Sequence, residues 1–219
     1  SGRMALYAAS LSFETSQINF WKDGQWHMLT VVSDGTKTKL YYDSHFLGEI
    51  NGSVTPEYGL FAGGYYAGGE YLEGSMDDIR IYDNALSHAE IKQLYELEKK
   101  PHQLDSVNDI ALWLDATNID GKQNTTLTNG SNVSEWKDLS DYELNFTASG
   151  SIYKKNDGND YVELNDQADI LVSERNSRFS GKEFSIQMFA VVELDQDYNQ
   201  QFGTILGQFG NSRDAASAT

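Results

Sequence analysis

Apolar and polar positions alternate with a period of two through most of this chain, and a helical period is convincing at one place only. WHMLTVV (26–32) alternates into a β-branched end, Asp34-Gly35 follows as a hairpin signal, and KLYYD (39–43) is the returning strand. GLFAGG (59–64) is a short apolar strand that leads into the glycine- and tyrosine-rich stretch GGYYAGGEYLEG. In MDDIRIY (76–82), alternation puts Asp77, Ile79 and Ile81 on one face and Asp78, Arg80 and Tyr82 on the other. Trp26 reads as a core residue.

The helix lies near residues 87–98. Ser87 and Glu90 form a capping box, Ile91, Leu94 and Tyr95 make a narrow apolar stripe, and Lys99-Lys100-Pro101 ends it. Residues 101–109 are polar and read as a linker. ALWLDA (111–116), VSEWKDLS, DYVELND and FSIQMFAVVEL (184–194) then form a second run of strands, with GTILGQFG (203–210) expected to pair with the last of these after a turn. The class is all-β: an antiparallel β-sandwich with one short surface helix.

Composition narrows the functions. Among 219 residues, Gly 19 against Pro 2, with Tyr 13 and Phe 10, suits strands and tight turns. The net charge of -17 excludes nucleic acid as a partner and argues against docking on anionic lipid. It suits a secreted or salt-tolerant protein, and its carboxylates offer oxygen ligands to hard cations such as calcium. The chain has no cysteine, which excludes disulfides, zinc–thiolate sites and thiol chemistry. No apolar run is long enough for membrane insertion and no secretory leader opens the sequence, so the chain is either cytosolic or an internal piece of a longer exported one.

Several residues carry candidate chemistry. Asp77, sharing a face with two isoleucines, is expected to point inward, where a carboxylate must be hydrogen-bonded or hold a cation. Asp78 is expected at the surface as a solvated partner of Arg80, worth under about 1 kcal/mol. Asp115, Asn118 and Asp120 in LDATNIDG can supply calcium ligands, or can close a polar turn through side-chain hydrogen bonds. Tyr65, Tyr66 and Tyr71, with Trp21 and Trp26, offer flat faces for sugar rings, against a core role for Trp26 and a sheet-edge cover for the tyrosines. Glu193, Asp195 and Asp197 share a strand face at the entry to a turn-like stretch, with a solvated loop as the default reading. His27 is a structural hydrogen-bonder, and His45, His88 and His102 lack metal-ligand spacing. Asn-x-Ser/Thr sequons begin at Asn51, Asn124, Asn129, Asn132 and Asn145.

The series QWHMLTVVSDGTKTKLYYDSHFLG, a glycine-rich strand and GSMDDIRIYDNALSHAEIKQLYE resembles, over roughly residues 20–97, the C-terminal half of laminin-G-like domains. These are also called concanavalin A-like or pentraxin-like jelly rolls. The second run of strands resembles the N-terminal half of the same family. Residues 1–100 thus look like a closing half and 110–219 like an opening half, joined by 101–109. One period of a tandem array, a circularly permuted sandwich and a polymer in which halves complete neighbouring copies all fit this order. Family members often carry Gly where Ser44 stands, so Ser44 or His45 is expected to take a left-handed turn geometry.

The resemblance implies a structural calcium site near Asp77. It further implies a non-catalytic, extracellular or cell-surface adhesion module that binds a glycan or a surface protein, with neighbouring copies as possible partners. Its alternatives are a glycoside hydrolase on the same fold, using Glu193 and Asp197 as carboxylates about 5 Å apart, and a self-assembling repeat with no ligand. The last acid of that run is Asp where the enzymes have Glu.

Overall fold

The protein is described by a computed structural model at residues 5–8, 11–14, 24–52, 60–63, 74–98, 110–156, 159–164, 170–173, 183–192 and 206–208. In chain order the strands are β1 (Ala5–Ala8), β2 (Leu11–Glu14), β3 (His27–Asp34), β4 (Lys37–Tyr42), β5 (His45–Asn51), β6 (Leu60–Ala62) and β7 (Gly74–Tyr82). Helix α1 (His88–Glu98) follows. Then come β8 (Ile110–Leu114), β9 (Glu135–Trp136), β10 (Phe146–Ser149), β11 (Ile152–Lys154), β12 (Tyr161–Leu164), β13 (Ile170–Ser173), β14 (Glu183–Val192) and β15 (Leu206–Gln208).

Two antiparallel sheets carry the fold. The larger runs β11-β12-β7-β14-β3-β4-β5, with β8 pairing the end of β7 beyond β12, and the smaller runs β15-β6-β13-β10-β9. Strands from before and after residues 99–109 alternate in both: β14 lies between β3 and β7, and β13 lies between β6 and β10. The expected pairing of 203–210 with 184–194 is corrected here. β15 pairs β6 in the other sheet, because both edges of β14 are already taken by β3 and β7.

The facing sides of the sheets make the main core. Leu29, Leu40, Ile79, Ile81, Leu112, Leu114 and Met188 from the large sheet meet Trp136, Phe146 and Leu171 from the small one. Each such side chain, when fully buried, contributes about 1.5–3 kcal/mol. A second cluster covers the other side of the large sheet, where Met28, Val32, Tyr41 and Tyr82 pack under Leu86, Ile91 and Leu94. The capping box forms as its residues predict: the Ser87 N–H donates to Glu90 Oε2 at 2.7 Å and the Glu90 N–H donates to Ser87 Oγ at 3.3 Å. Trp26 departs from expectation. It precedes β3, beyond the strand ladder, and is 38 % exposed with its ring edge-on to Tyr161.

Two turns yield predictions. At the β3–β4 turn, Asp34 accepts hydrogen bonds from the Thr36 hydroxyl and from the N–H groups of Thr36 and Lys37, and it pairs with Lys39. The Thr36 hydroxyl leads the effects that hold its pKa far below the ordinary value. A depressed carboxylate contributes stability above its ordinary pKa and loses it as the pH falls through that range. Asp34→Ala is therefore expected to lower the melting temperature at neutral pH, and the difference from wild type should narrow from about pH 5 to about pH 2. A gap that stays constant across that range would refute the carboxylate's role.

At the β4–β5 turn, Asp43 (φ 47°) and Ser44 (φ 65°) both take left-handed backbone, as a two-residue type I′ hairpin demands. The strained pair is Asp43–Ser44, and His45 already belongs to β5. Asp43 secures the turn by accepting from the Met28 N–H at 2.9 Å and by bonding His27 Nδ1 at 2.8 Å. A non-glycine residue in this conformation costs roughly 1–2 kcal/mol, part of which glycine returns in chain entropy. Ser44→Gly should raise the melting temperature by about 1–4 °C, measured by calorimetry.

Candidate metal centre

The central strand β7 is irregular at its acidic pair. Arg80 stands opposite Gln187 and Asp77 opposite Phe189, so two residues of β7 face the single Met188 between them. This is a β-bulge, and Asp78 sits in it with φ 49°. The bulge lets Met76 and Ile79, three apart, both reach the main core. Strict alternation therefore fails at Asp77 and Asp78.

Asp78 and Arg80, expected at the surface, are buried. Their face of β7 lies under the helix cluster and beside Trp113, and the Arg80 side chain is 1 % exposed. Its guanidinium donates to Asp78 Oδ1 at 2.7 Å and lies 5.8 Å from the centre of the Trp113 ring. Unlike a solvated pair, a buried pair of this kind leaves a costly unpaired charge if either partner is removed.

Asp77 ties β7 to the loop after β8. Its Oδ1 accepts from the N–H groups of Asp78 at 2.7 Å and Ala116 at 2.9 Å. That second bond fixes the 3-10 turn Ala116–Asn118, whose N-cap is Asp115. Asp115 Oδ1 accepts from the Thr117 N–H and hydroxyl at 2.7 and 2.6 Å, and its carbonyl accepts from Trp136 Nε1 at 3.2 Å. The result is a cluster of Asp77, Asp78 and Asp115, with one carboxylate oxygen of each within 4.8 Å of the others.

Asp77 keeps some exposed surface as a residue, yet its carboxyl is withdrawn from water. That desolvation, followed by the charges of Asp78 and Asp115, pushes its pKa well above the ordinary range, against the opposing pull of the Ala116 and Asp78 N–H groups. Three carboxylates thus crowd one space in which Arg80 pairs with Asp78. A set of hard oxygen donors with surplus negative charge fits a cation, and this cluster can hold a metal ion.

The other candidates fall elsewhere. Asn118 Oδ1 accepts from the Gln123 N–H at 2.6 Å, and Asp120 accepts from the N–H groups of Lys122 and Asn124 and from the Thr126 hydroxyl. Both side chains close the polar turn that follows the 3-10 segment, the second of the two readings their spacing allowed. Asn124 is buried, and its amide donates to the Ala116 carbonyl at 2.7 Å, which withdraws that sequon from glycosylation. Tyr65, Tyr66 and Tyr71, like Trp21 and Glu193, Asp195 and Asp197, lie outside the described residues. Sequence reasoning missed Asp78 as a member of the cluster, and a bulge leaves no signature in period-two alternation. Among the described residues, no helix is long and apolar enough to cross a membrane.

No curated protein and no solved structure matches the chain. Residues 3–92 match the laminin-G-type family model described as the concanavalin A-like lectin/glucanases superfamily, and the antiparallel β-sandwich that this segment builds with the rest of the chain is consistent with that likeness.

Proposed function

We propose that this chain is a non-catalytic binding module of an extracellular or cell-surface protein, stiffened by calcium held at Asp77, Asp78 and Asp115. The crowding of three carboxylates, one of them paired with Arg80, carries this reading, because the protein otherwise confines surplus negative charge away from water. Calcium accepts irregular sets of carboxylate and carbonyl oxygens, whereas magnesium demands a near-octahedral site and sheds its waters reluctantly. The cation would clamp β7 to the loop after β8, a junction already made by the Asp77–Ala116 bond.

The ligand is a glycan or a surface protein, with Tyr65, Tyr66 and Tyr71 as the candidate contact residues; nucleic acid is disfavoured by the charge of -17. Calorimetric titration with calcium and with magnesium tests the metal, and glycan-array binding with calcium or with EDTA tests the ligand class. Saturable calcium binding that is lost in Asp115→Asn supports the reading. No heat of binding at millimolar calcium removes it.

A further inference from the structure

Polar residues line the helix-covered face of the large sheet, and two of them contrast with a neighbour. Ser185 on β14 is fully bonded: its hydroxyl donates to the Asn84 carbonyl at 2.9 Å and accepts from the Leu86 N–H at 2.8 Å. Two residues along the same strand, and so on the same face, Gln187 is 0 % exposed, and neither its amide oxygen nor its amide nitrogen has a hydrogen-bond partner. Thr30 stands directly opposite Gln187 on β3, is 1 % exposed, and its hydroxyl is likewise without a partner. Its neighbours on that face, Met28 and Val32, belong to the cluster under α1.

Two buried polar side chains on adjacent strands, with three unmet hydrogen-bonding atoms between them, are a costly arrangement, and Gln187 has Arg80 as its opposite neighbour on β7. Polar groups at two directly opposed, buried positions point to something shared. Three donor and acceptor atoms are the number a buried water ordinarily engages. We propose that Thr30 and Gln187 together hold ordered water inside the sheet–helix layer, as a built hydration site that joins β3 to β14. The proposal is independent of the metal reading.

The test is a double-mutant cycle with Thr30→Val and Gln187→Met in the full chain, read by calorimetry, beside a wild-type crystal structure or water–amide cross-relaxation by NMR. Each single substitution strands the partner's bonds and is expected to lower the melting temperature by about 3 °C or more, while the double variant falls by less than the sum. Wild type should show water within hydrogen-bond distance of both side chains. Single substitutions that raise the melting temperature additively would overturn the proposal. So would a direct Thr30–Gln187 bond with no water between them. The water measurement on wild type decides the matter even where a variant fails to fold.

Discussion

Asp77→Asn is expected to abolish the calcium response proposed for this protein and, at the same time, to stabilise its metal-free form. Asp77 is desolvated and faces two further carboxylates, so its ionised form is unfavourable until a cation arrives. An asparagine keeps an oxygen to accept the Ala116 and Asp78 N–H groups, and its amide can donate to the remaining acids. The pH dependence has a definite sign. A carboxyl whose folded pKa is raised binds its proton more tightly in the native state, so stability falls as pH rises from the ordinary carboxylate value to the raised one. Metal-free wild type should therefore lose stability as the pH climbs above about 4, and Asp77→Asn should flatten that slope. Calcium at about a hundred times its dissociation constant should add about 2.7 kcal/mol to wild type, or roughly 5–10 °C. Melting curves across pH, with calcium or with EDTA, measure all of this. If calcium shifts wild type and variant equally, Asp77 is not a ligand.

Arg80→Ala is expected to be among the most damaging single changes in the protein. The guanidinium is buried against Trp113 and neutralises Asp78 within the acid cluster. Its removal leaves buried carboxylates facing one another, and breaking a pair of this kind costs about 3–5 kcal/mol. For a chain of this size that is a loss of roughly 6–20 °C. Calcium should restore part of the loss, because it supplies positive charge to the same oxygens. Arg80→Met separates the contributions: it keeps much of the packing on Trp113 and removes only the charge. Urea unfolding of the three proteins, with and without calcium, reads the difference. A loss under about 1 kcal/mol in Arg80→Ala would mean that the pair behaves as a solvated one.

The distance between those two expectations for Arg80, a solvated pair and a buried one, locates where sequence reasoning stops. Alternation along FSIQMFAVVEL identified the long strand β14, and its Ile186 and Met188 do reach the main core while Ser185 and Gln187 face the helix side. The capping residues placed α1 to within a residue. Asp77 and Asp115 were both legible as candidate ligands, but as members of separate groups, and Asp78 was assigned to solvent. Their meeting depends on the pairing of β7 with β8 and on the bond from Ala116 to Asp77.

Sequence by itself determined the all-β class, the position of the single described helix and the surplus of carboxylates. Each is a local property: the pleat repeats every two residues, a cap needs an oxygen at one position, and charge is additive. Only the tertiary structure decided that β14 enters between β3 and β7, that β15 joins the other sheet, and that a bulge breaks the alternation at Asp78. Those outcomes turn on which edges remain open when distant strands pack, and no local pattern encodes that. Trp26 and Arg80 exchanged their expected places for the same reason: burial is set by what covers a residue, and the cover comes from elsewhere in the chain.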